Sequence, residues 1–358
     1  MSAIKLRIKI ILKTIFHTIF GKTRLKAWIL RVFGRDYELD GAQLAHLIAM
    51  PICDAPKGDF IASLTTFPAR IGILKYALHS IFSQTLNAKR VILVLSADEF
   101  GVDLMRDSAD SARDSALDST LDSAKLTDST LDSTKLTKLA DSVLDSTLPS
   151  EILAFKKYGL EIMWVAQNLR QYNKIIPTLR TFPNENIITL DDDIYYNPRT
   201  FETLYHAHLS DKGIIWAHKT RLVPFSANKI ADFFEWKIIR KKHKNLQNLP
   251  KFDIFLEGCG GVFYPPNALY GDCLDSGKFM HLAPKADDIW LWSMALLKGT
   301  KIACVKPPLM GDGAAFTNSA DNPALWQYNM NGGNDRQMRN ILAEYPQILQ
   351  ILAGQNVR

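Results

Sequence analysis

Two apolar runs, Phe60-Ile61-Ala62-Ser63-Leu64 and Val91-Ile92-Leu93-Val94-Leu95, are separated by residues with helical spacing at Ile73, Tyr76, Ala77 and Ile81. Strand, helix and strand inside residues 60–95 make a βαβ unit, which demands a parallel strand pair and a right-handed crossover. Runs this continuously apolar are buried on both faces, so helices must cover both sides of the sheet. Pro68 cannot donate to a ladder, and it ends the first strand. The alternation then returns. Strands are predicted at Leu160–Val165, Asn186–Leu190, 213–216 and 261–264, and helices at 172–181, 198–209 and from Asp287 to Leu297. The expected fold is α/β, with a mostly parallel central sheet flanked by helices.

One segment breaks the pattern. Residues 103–148 are almost entirely Asp, Ser, Leu, Thr, Ala and Lys, and Leu121-Asp122-Ser123 and Lys125-Leu126-Thr127 return ten residues later at 131–133 and 135–137. That period matches neither the heptad nor the eleven-residue helical repeat, so the span reads as a low-complexity insert in a surface loop.

Charge is also unevenly placed. Residues 1–35 carry nine Lys or Arg and no acid, more than the whole chain's net +6, so the body is slightly acidic. A broad nucleic-acid-binding face is therefore not expected. Ile4, Ile8, Ile11, Ile15 and Ile19 form a stripe beside Lys5, Lys9 and Lys13, which suits a helix lying on an anionic membrane surface. The same lysines interrupt any bilayer span, and no signal-type cleavage site follows. The expected location is cytoplasmic, peripheral on the inner face of the cytoplasmic membrane. Cys53, Cys259, Cys273 and Cys304 show no metal-type spacing, which argues against structural zinc.

The chemistry concentrates where the Asn186–Leu190 strand runs into Asp191-Asp192-Asp193. Ligands of open α/β sheets bind beyond this end of the strands. Three adjacent carboxylates there fit a hard divalent ion, Mg²⁺ or Mn²⁺, that also contacts substrate phosphates. Arg70 and the stretch Asn168-Leu169-Arg170-Gln171-Tyr172-Asn173-Lys174 supply cations for such phosphates. A second acidic pair, Asp287-Asp288, opens a helix and precedes Trp290 and Trp292. It reads either as a helix cap or as a general base with aromatic faces for a sugar.

Five stretches, taken in order, resemble bacterial GT-A glycosyltransferases of the family 2-like and exostosin-like kind that build capsular or lipopolysaccharide glycans. They are Leu64–Ile71, Asn168–Lys174, Thr189–Tyr195, Gly260–Pro266 and Ala286–Trp290, and the resemblance spans residues 58–340 apart from the insert. It implies a GT-A catalytic domain moving a sugar from a nucleotide-diphosphate sugar to a glycan or lipid-linked acceptor. It further implies Asp191 and Asp193 as a DxD metal site, with Thr65, Arg70, Asn168, Arg170, Lys174 and Asp192 around the nucleotide. Gly260, Gly261 and Trp290 would line the acceptor side. Asp288, or its neighbour Asp287, would be the base of an inverting displacement. Gly332–Gln337 looks like the family's C-terminal motif, from which Arg336 could reach a diphosphate. Two other readings of the residues stand beside this one: a haloacid-dehalogenase-like phosphatase built on Asp191 and Asp193, and a non-catalytic membrane-associated scaffold.

Overall fold

The computed structural model describes residues 46, 48–52, 54–101, 144–309, 314–315 and 328–355. The basic segment 1–35, Cys53 and insert residues 103–143 lie outside the described residues. The chain begins β1 (Lys57–Thr65), α1 (Ile71–Phe82), β2 (Asn87–Ser96), α2 (Ser150–Leu153), β3 (Leu160–Val165), α3 (Ile176–Thr181) and β4 (Ile187–Thr189). Next come β5 (Ile194–Tyr195), α4 (Thr200–Ser210), β6 (Ile215–Ala217), β7 (Thr220–Leu222), β8 (Phe225–Ser226), β9 (Lys229–Ile230) and β10 (Lys237–Ile238). The rest is β11 (Ile254–Leu256), β12 (Val262–Tyr264), α5 (Ser276–Leu282), α6 (Asp287–Lys298), β13 (Ile302–Cys304), β14 (Ala314–Ala315), α7 (Asn334–Glu344) and α8 (Gln347–Gln355).

The central sheet has seven strands in the order β13-β6-β12-β4-β1-β2-β3. Six run one way and β12 is reversed, pairing antiparallel with both β4 and β6. The chain is thus a mixed α/β protein with a mostly parallel sheet. Alternate residues feed two cores. Phe60, Ala62, Leu64, Phe263 and Ala303 pack against α1 and α4 through Leu74, Leu78, Phe201 and Leu204. Val262 and Ile302 face the opposite cluster, with α6, α7 and α8 contributing Trp290, Ile341 and Ile348. Among the described residues no helix is long and apolar enough to cross a membrane.

The helix predicted over 172–181 is divided. Arg170–Lys174 is a 3-10 turn, Ile175 leaves helical geometry at φ −134°, and α3 starts at Ile176. Pro177 explains this, because proline belongs in a first helical turn and breaks a helix interior.

The last residues of the 103–148 span belong to the body. Leu144 and Leu148 are buried, and Asp145 Oδ1 accepts from Trp164 Nε1 at 2.9 Å. Phe100, on the other flank, meets the same Trp164 ring edge-on at 5.5 Å. Both ends of the insert therefore converge on one side chain, Trp164, so a short linker should suffice to join them. Deleting 103–143 with such a linker is expected to change stability by no more than about 1–2 kcal/mol, because loop-closure entropy grows slowly with length. Extending the deletion through Leu148 should cost at least about 2 kcal/mol more, through loss of core leucines. Equal denaturation midpoints for the two deletions would refute that boundary.

Candidate functional site

Register brings the site together. Ser63 of β1 pairs with Thr189 of β4, so the residues leaving both strands emerge side by side. From β1 the chain turns at Pro68–Arg70 into α1; from β4 it turns through the three aspartates into β5. Thr66 Oγ1 then donates to Asp192 Oδ2 at 2.5 Å, and Arg70 Nη1 donates to Asp192 Oδ1 at 2.8 Å. The same Arg70 nitrogen lies 2.9 Å from Asp193 Oδ2. Asp191 donates its backbone N–H to the buried Tyr196 hydroxyl at 2.7 Å.

The reversed strand adds the other half. Because β12 pairs antiparallel with β4, Val262 against Thr189, the Gly258–Gly260 turn before it arrives beside the aspartates. Gly258 N–H is held by both oxygens of Asp288, at 3.1 and 3.0 Å. Lys174 Nζ sits between the two acidic groups, 2.9 Å from Asp191 Oδ1 and 2.9 Å from Asp287 Oδ2, with its side chain 8% exposed. A Cβ on Gly258 would stand 2.8 Å from Asp288 Oδ1 and 2.9 Å from Lys174 Nζ, so any side chain at that position would displace the Asp288 carboxylate or the Lys174 ammonium.

Five carboxylates (Asp191, Asp192, Asp193, Asp287, Asp288) thus contact two cations, Arg70 and Lys174, directly or through each other. The imbalance shows in their acidities. Burial, and then Asp191, push Asp193 up to about 7. Burial, and then Asp287, push Asp288 up to about 8. Burial raises Asp192 as well, against Arg70 and Thr66. Burial alone would lower Lys174, but Asp191, Asp287 and Asp288 more than offset it and hold it well above the usual lysine value.

A divalent ion fits this deficit. Among the described residues no three His, Cys, Asp or Glu side chains converge into a closed metal cage. Ions such as Mg²⁺ instead take one or two carboxylates and complete their shell with water and substrate phosphates. Asp191 and Asp193, each with a quarter-exposed side chain, offer that donor set, and the raised pKa of Asp193, from burial and then from Asp191, marks a carboxyl group whose negative charge is poorly compensated.

Several sequence expectations are displaced. Thr65 spends its hydroxyl on Val94 O of β2 at 2.8 Å, and the neighbouring Thr66 reaches the aspartates instead. Arg170 is exposed in a left-handed conformation, φ 57°, which the Asn168 carboxamide stabilises by accepting its backbone N–H at 2.7 Å. Asn168 and Arg170 act on Glu99 past the end of β2 and make no bond to the acidic cluster. Trp290 is fully buried, with rings of Phe279 and Tyr345 edge-on to it, and presents no face to a sugar. Trp292 is equally buried. Gly260 backs onto Lys219, whose backbone nitrogen would lie 2.7 Å from an added Cβ, and Gly261 takes φ +84°, so both glycines serve the turn itself. Cys259, Cys273 and Cys304 are free thiols.

One contributor carried no sequence signal, and the C-terminal motif takes a role that the sequence did not assign to it. Glu257, just before Gly258, is buried against Arg221 Nε at 2.7 Å and Lys219 Nζ at 3.5 Å, and these cations keep its pKa low in spite of burial. The C-terminal motif holds the turn ahead of Asp287. Gln337 Oε1 accepts the Lys285 N–H at 2.8 Å, and Asn329 Nδ2 donates to the Lys285 carbonyl at 2.8 Å. Arg336 lies exposed over the Tyr328 ring at 5.6 Å.

No protein-family model and no curated protein matches the chain. Among solved structures it is similar to a mannosyltransferase from Pyrobaculum calidifontis in complex with GDP-Man and Mn²⁺. That likeness is 12% identical over 87% of this chain and 75% of the other, with a TM-score of 0.40. It is also similar to a UTP-bound UGPase from Acinetobacter baumannii, 11% identical over 85% of this chain and 99% of the other, with a TM-score of 0.30. Likeness at that level carries no argument about function, which rests on the residues themselves.

Proposed function

We propose that the chain is a metal-dependent glycosyltransferase of the GT-A type, moving a sugar from a nucleotide-diphosphate donor to a glycan or lipid-linked acceptor at an anionic membrane surface. The observation that carries this reading is the excess of carboxylate over cation where β1, β4 and the Gly258 turn meet, at the ligand-binding end of a parallel sheet. Asp191 and Asp193 would hold Mg²⁺ or Mn²⁺, and the ion would supply charge neutralisation for the departing diphosphate. Arg70 braces Asp192 and Asp193 from behind, which aims the acidic turn without occupying every oxygen. Lys174 spaces Asp191 from Asp287, separating a donor side from an acceptor side. Asp288, half-buried and tethered to the Gly258 turn, takes the proton of the attacking hydroxyl in an inverting displacement.

The test is a binding screen of the purified full chain against UDP-, GDP-, CMP- and dTDP-sugars. At least one donor should bind in Mn²⁺ or Mg²⁺, lose about tenfold or more in affinity with EDTA, and recover when metal is restored. The magnitude follows from losing one ion-bridged diphosphate contact, about 1.4 kcal/mol at least. Tight donor binding that ignores chelator would refute the metal assignment. Failure of all four donors in the presence of metal would refute the transferase reading.

A further inference from the structure

The body's mild net acidity hides a concentrated basic turn. From Trp236 through Phe252 there is no Asp or Glu, yet Lys237, Arg240, Lys241, Lys242 and Lys244 are all exposed. The turn is built rather than slack. Gln247 is buried, and its Nε2 donates to the carbonyls of Arg240 at 2.9 Å and Lys241 at 3.1 Å. His243 donates its backbone N–H to Arg240 O at 2.8 Å and accepts the Arg240 N–H on Nδ1 at 3.1 Å. Among the described residues Arg240, Lys242 and Lys244 make no ion pair. Burial, followed by Lys237, Lys242 and Arg240, depresses His243, so several positive charges converge on this one turn. Two large apolar side chains flank it in the chain, Phe234 at 42% and Leu249 at 43% exposure.

Strand register places this turn near the candidate site. β10 and β11 both pair antiparallel with the central β7. Ile239 N–H bonds to Thr220 O, and Glu257 N–H bonds to Lys219 O. Arg240 and Glu257 therefore leave the same end of the small sheet, two strand spacings or about 10 Å apart. The residue after Glu257 is Gly258, whose N–H holds Asp288.

We propose that the Arg240–Lys244 turn is a docking surface for anionic phospholipid, by which the folded body sits on a membrane with its acceptor-side loop beside the lipid. A fixed array of exposed cations, of which Arg240, Lys242 and Lys244 make no ion pair among the described residues, flanked by exposed apolar side chains, matches the two things such a surface offers, negative headgroups and an apolar boundary beneath them. The surface lies outside the basic segment 1–35. Its consequence for acceptor delivery rests on the transferase reading; lipid binding itself does not.

The test uses the full-length chain and vesicles of phosphatidylcholine mixed with phosphatidylglycerol, compared with phosphatidylcholine alone. A cation beside an anionic surface contributes roughly fivefold to partitioning. Arg240→Ser/Lys242→Ser/Lys244→Ser should therefore lower partitioning onto the anionic vesicles at least about tenfold, with an unchanged melting temperature. The loss should persist in a chain also carrying Lys5→Ser/Lys9→Ser/Lys13→Ser, which separates it from the lysines of the terminal stripe. Removing two other exposed lysines, Lys212→Ser/Lys298→Ser, should leave partitioning within about twofold. Unchanged partitioning of the triple variant, or an equal loss in the Lys212/Lys298 variant, overturns the proposal. So does intact vesicle binding with weakened retention on heparin, which would make the partner a soluble polyanion. No donor is present in these measurements, so their failure leaves the transferase reading standing, and failure of the donor screen leaves the docking result standing.

Discussion

Lys174→Met is expected to cost about 3–5 kcal/mol of folding stability, the usual consequence of stripping one partner from a buried ion pair. Lys174 Nζ donates to Asp191 Oδ1 at 2.9 Å and stands in an ion pair 2.9 Å from Asp287 Oδ2, its side chain is 8% exposed, and Asp287 on the far side is itself buried. Methionine keeps the stem and its packing but leaves the buried Asp287 carboxyl with no counter-ion. Neutralising that partner should therefore rescue the loss: Lys174→Met/Asp287→Asn is expected to recover at least about 1 kcal/mol, within the range of coupling between contacting residues. Arginine is not a conservative replacement, because Nζ already stands 2.9 Å from where a Gly258 Cβ would be and the wider guanidinium fork would strike the turn. Denaturant titrations of the three variants measure these differences. A Lys174→Met chain within about 0.5 kcal/mol of wild type, or a double variant with no recovery, would show that the bridge does not form.

Much of the frame was readable from the chain because buried parallel strands advertise themselves. Phe60–Leu64 and Val91–Leu95 are strands where continuous apolar runs place them, Leu160–Val165 is a strand as predicted though Glu161 interrupts its run, and the helix from Asp287 runs to Lys298. Asp191, Asp193, Arg70, Lys174, Asp287 and Asp288 also assemble at one place: Asp191 and Asp193 follow β4, Arg70 and Lys174 sit in 3-10 turns, and Asp287 and Asp288 open a helix. What composition could not tell was direction of side chains over short distances. Thr65 and Thr66 are chemically identical, and only the pairing of β1 with β2 decides that Thr65 turns to Val94 O while Thr66 turns to Asp192. Trp290 follows the acidic pair in sequence but points into the core, because a helix sends successive residues to different sides. The Asn168 and Arg170 side chains depend on a left-handed turn that no periodicity signals. The Glu257–Arg221 and Gln337–Lys285 contacts join residues 36 and 52 positions apart, and nothing local to either partner announces them.

On the proposed transferase reading, Asp288→Asn should reduce sugar transfer by about 10²–10⁴-fold while leaving donor affinity nearly unchanged, the pattern of a lost general base. The competing assignment, a helix cap, fits the geometry poorly. The residue preceding α6 is Ala286, with no side-chain capping bond, and the Asp288 carboxylate reaches thirty positions back to Gly258 N–H instead of serving its own helix. Asparagine preserves that contact, since its carbonyl oxygen also accepts from Gly258, so the turn should stay in place and the melting temperature with it. Asp287 is less suited to the role, being buried and bound to Lys174. A base must be deprotonated to act, and burial with the neighbouring Asp287 pushes Asp288 up to about 8. The acceptor kcat/KM of the wild-type enzyme should therefore climb as pH rises towards about 8 and level off above it, and this limb should vanish in Asp288→Asn. Asp191→Ala should behave differently, damaging donor binding and turnover together, because on the proposed reading it removes a metal ligand on the diphosphate side. Near wild-type transfer by Asp288→Asn, with the pH limb intact, would remove the base from this residue and with it the acceptor side of the mechanism.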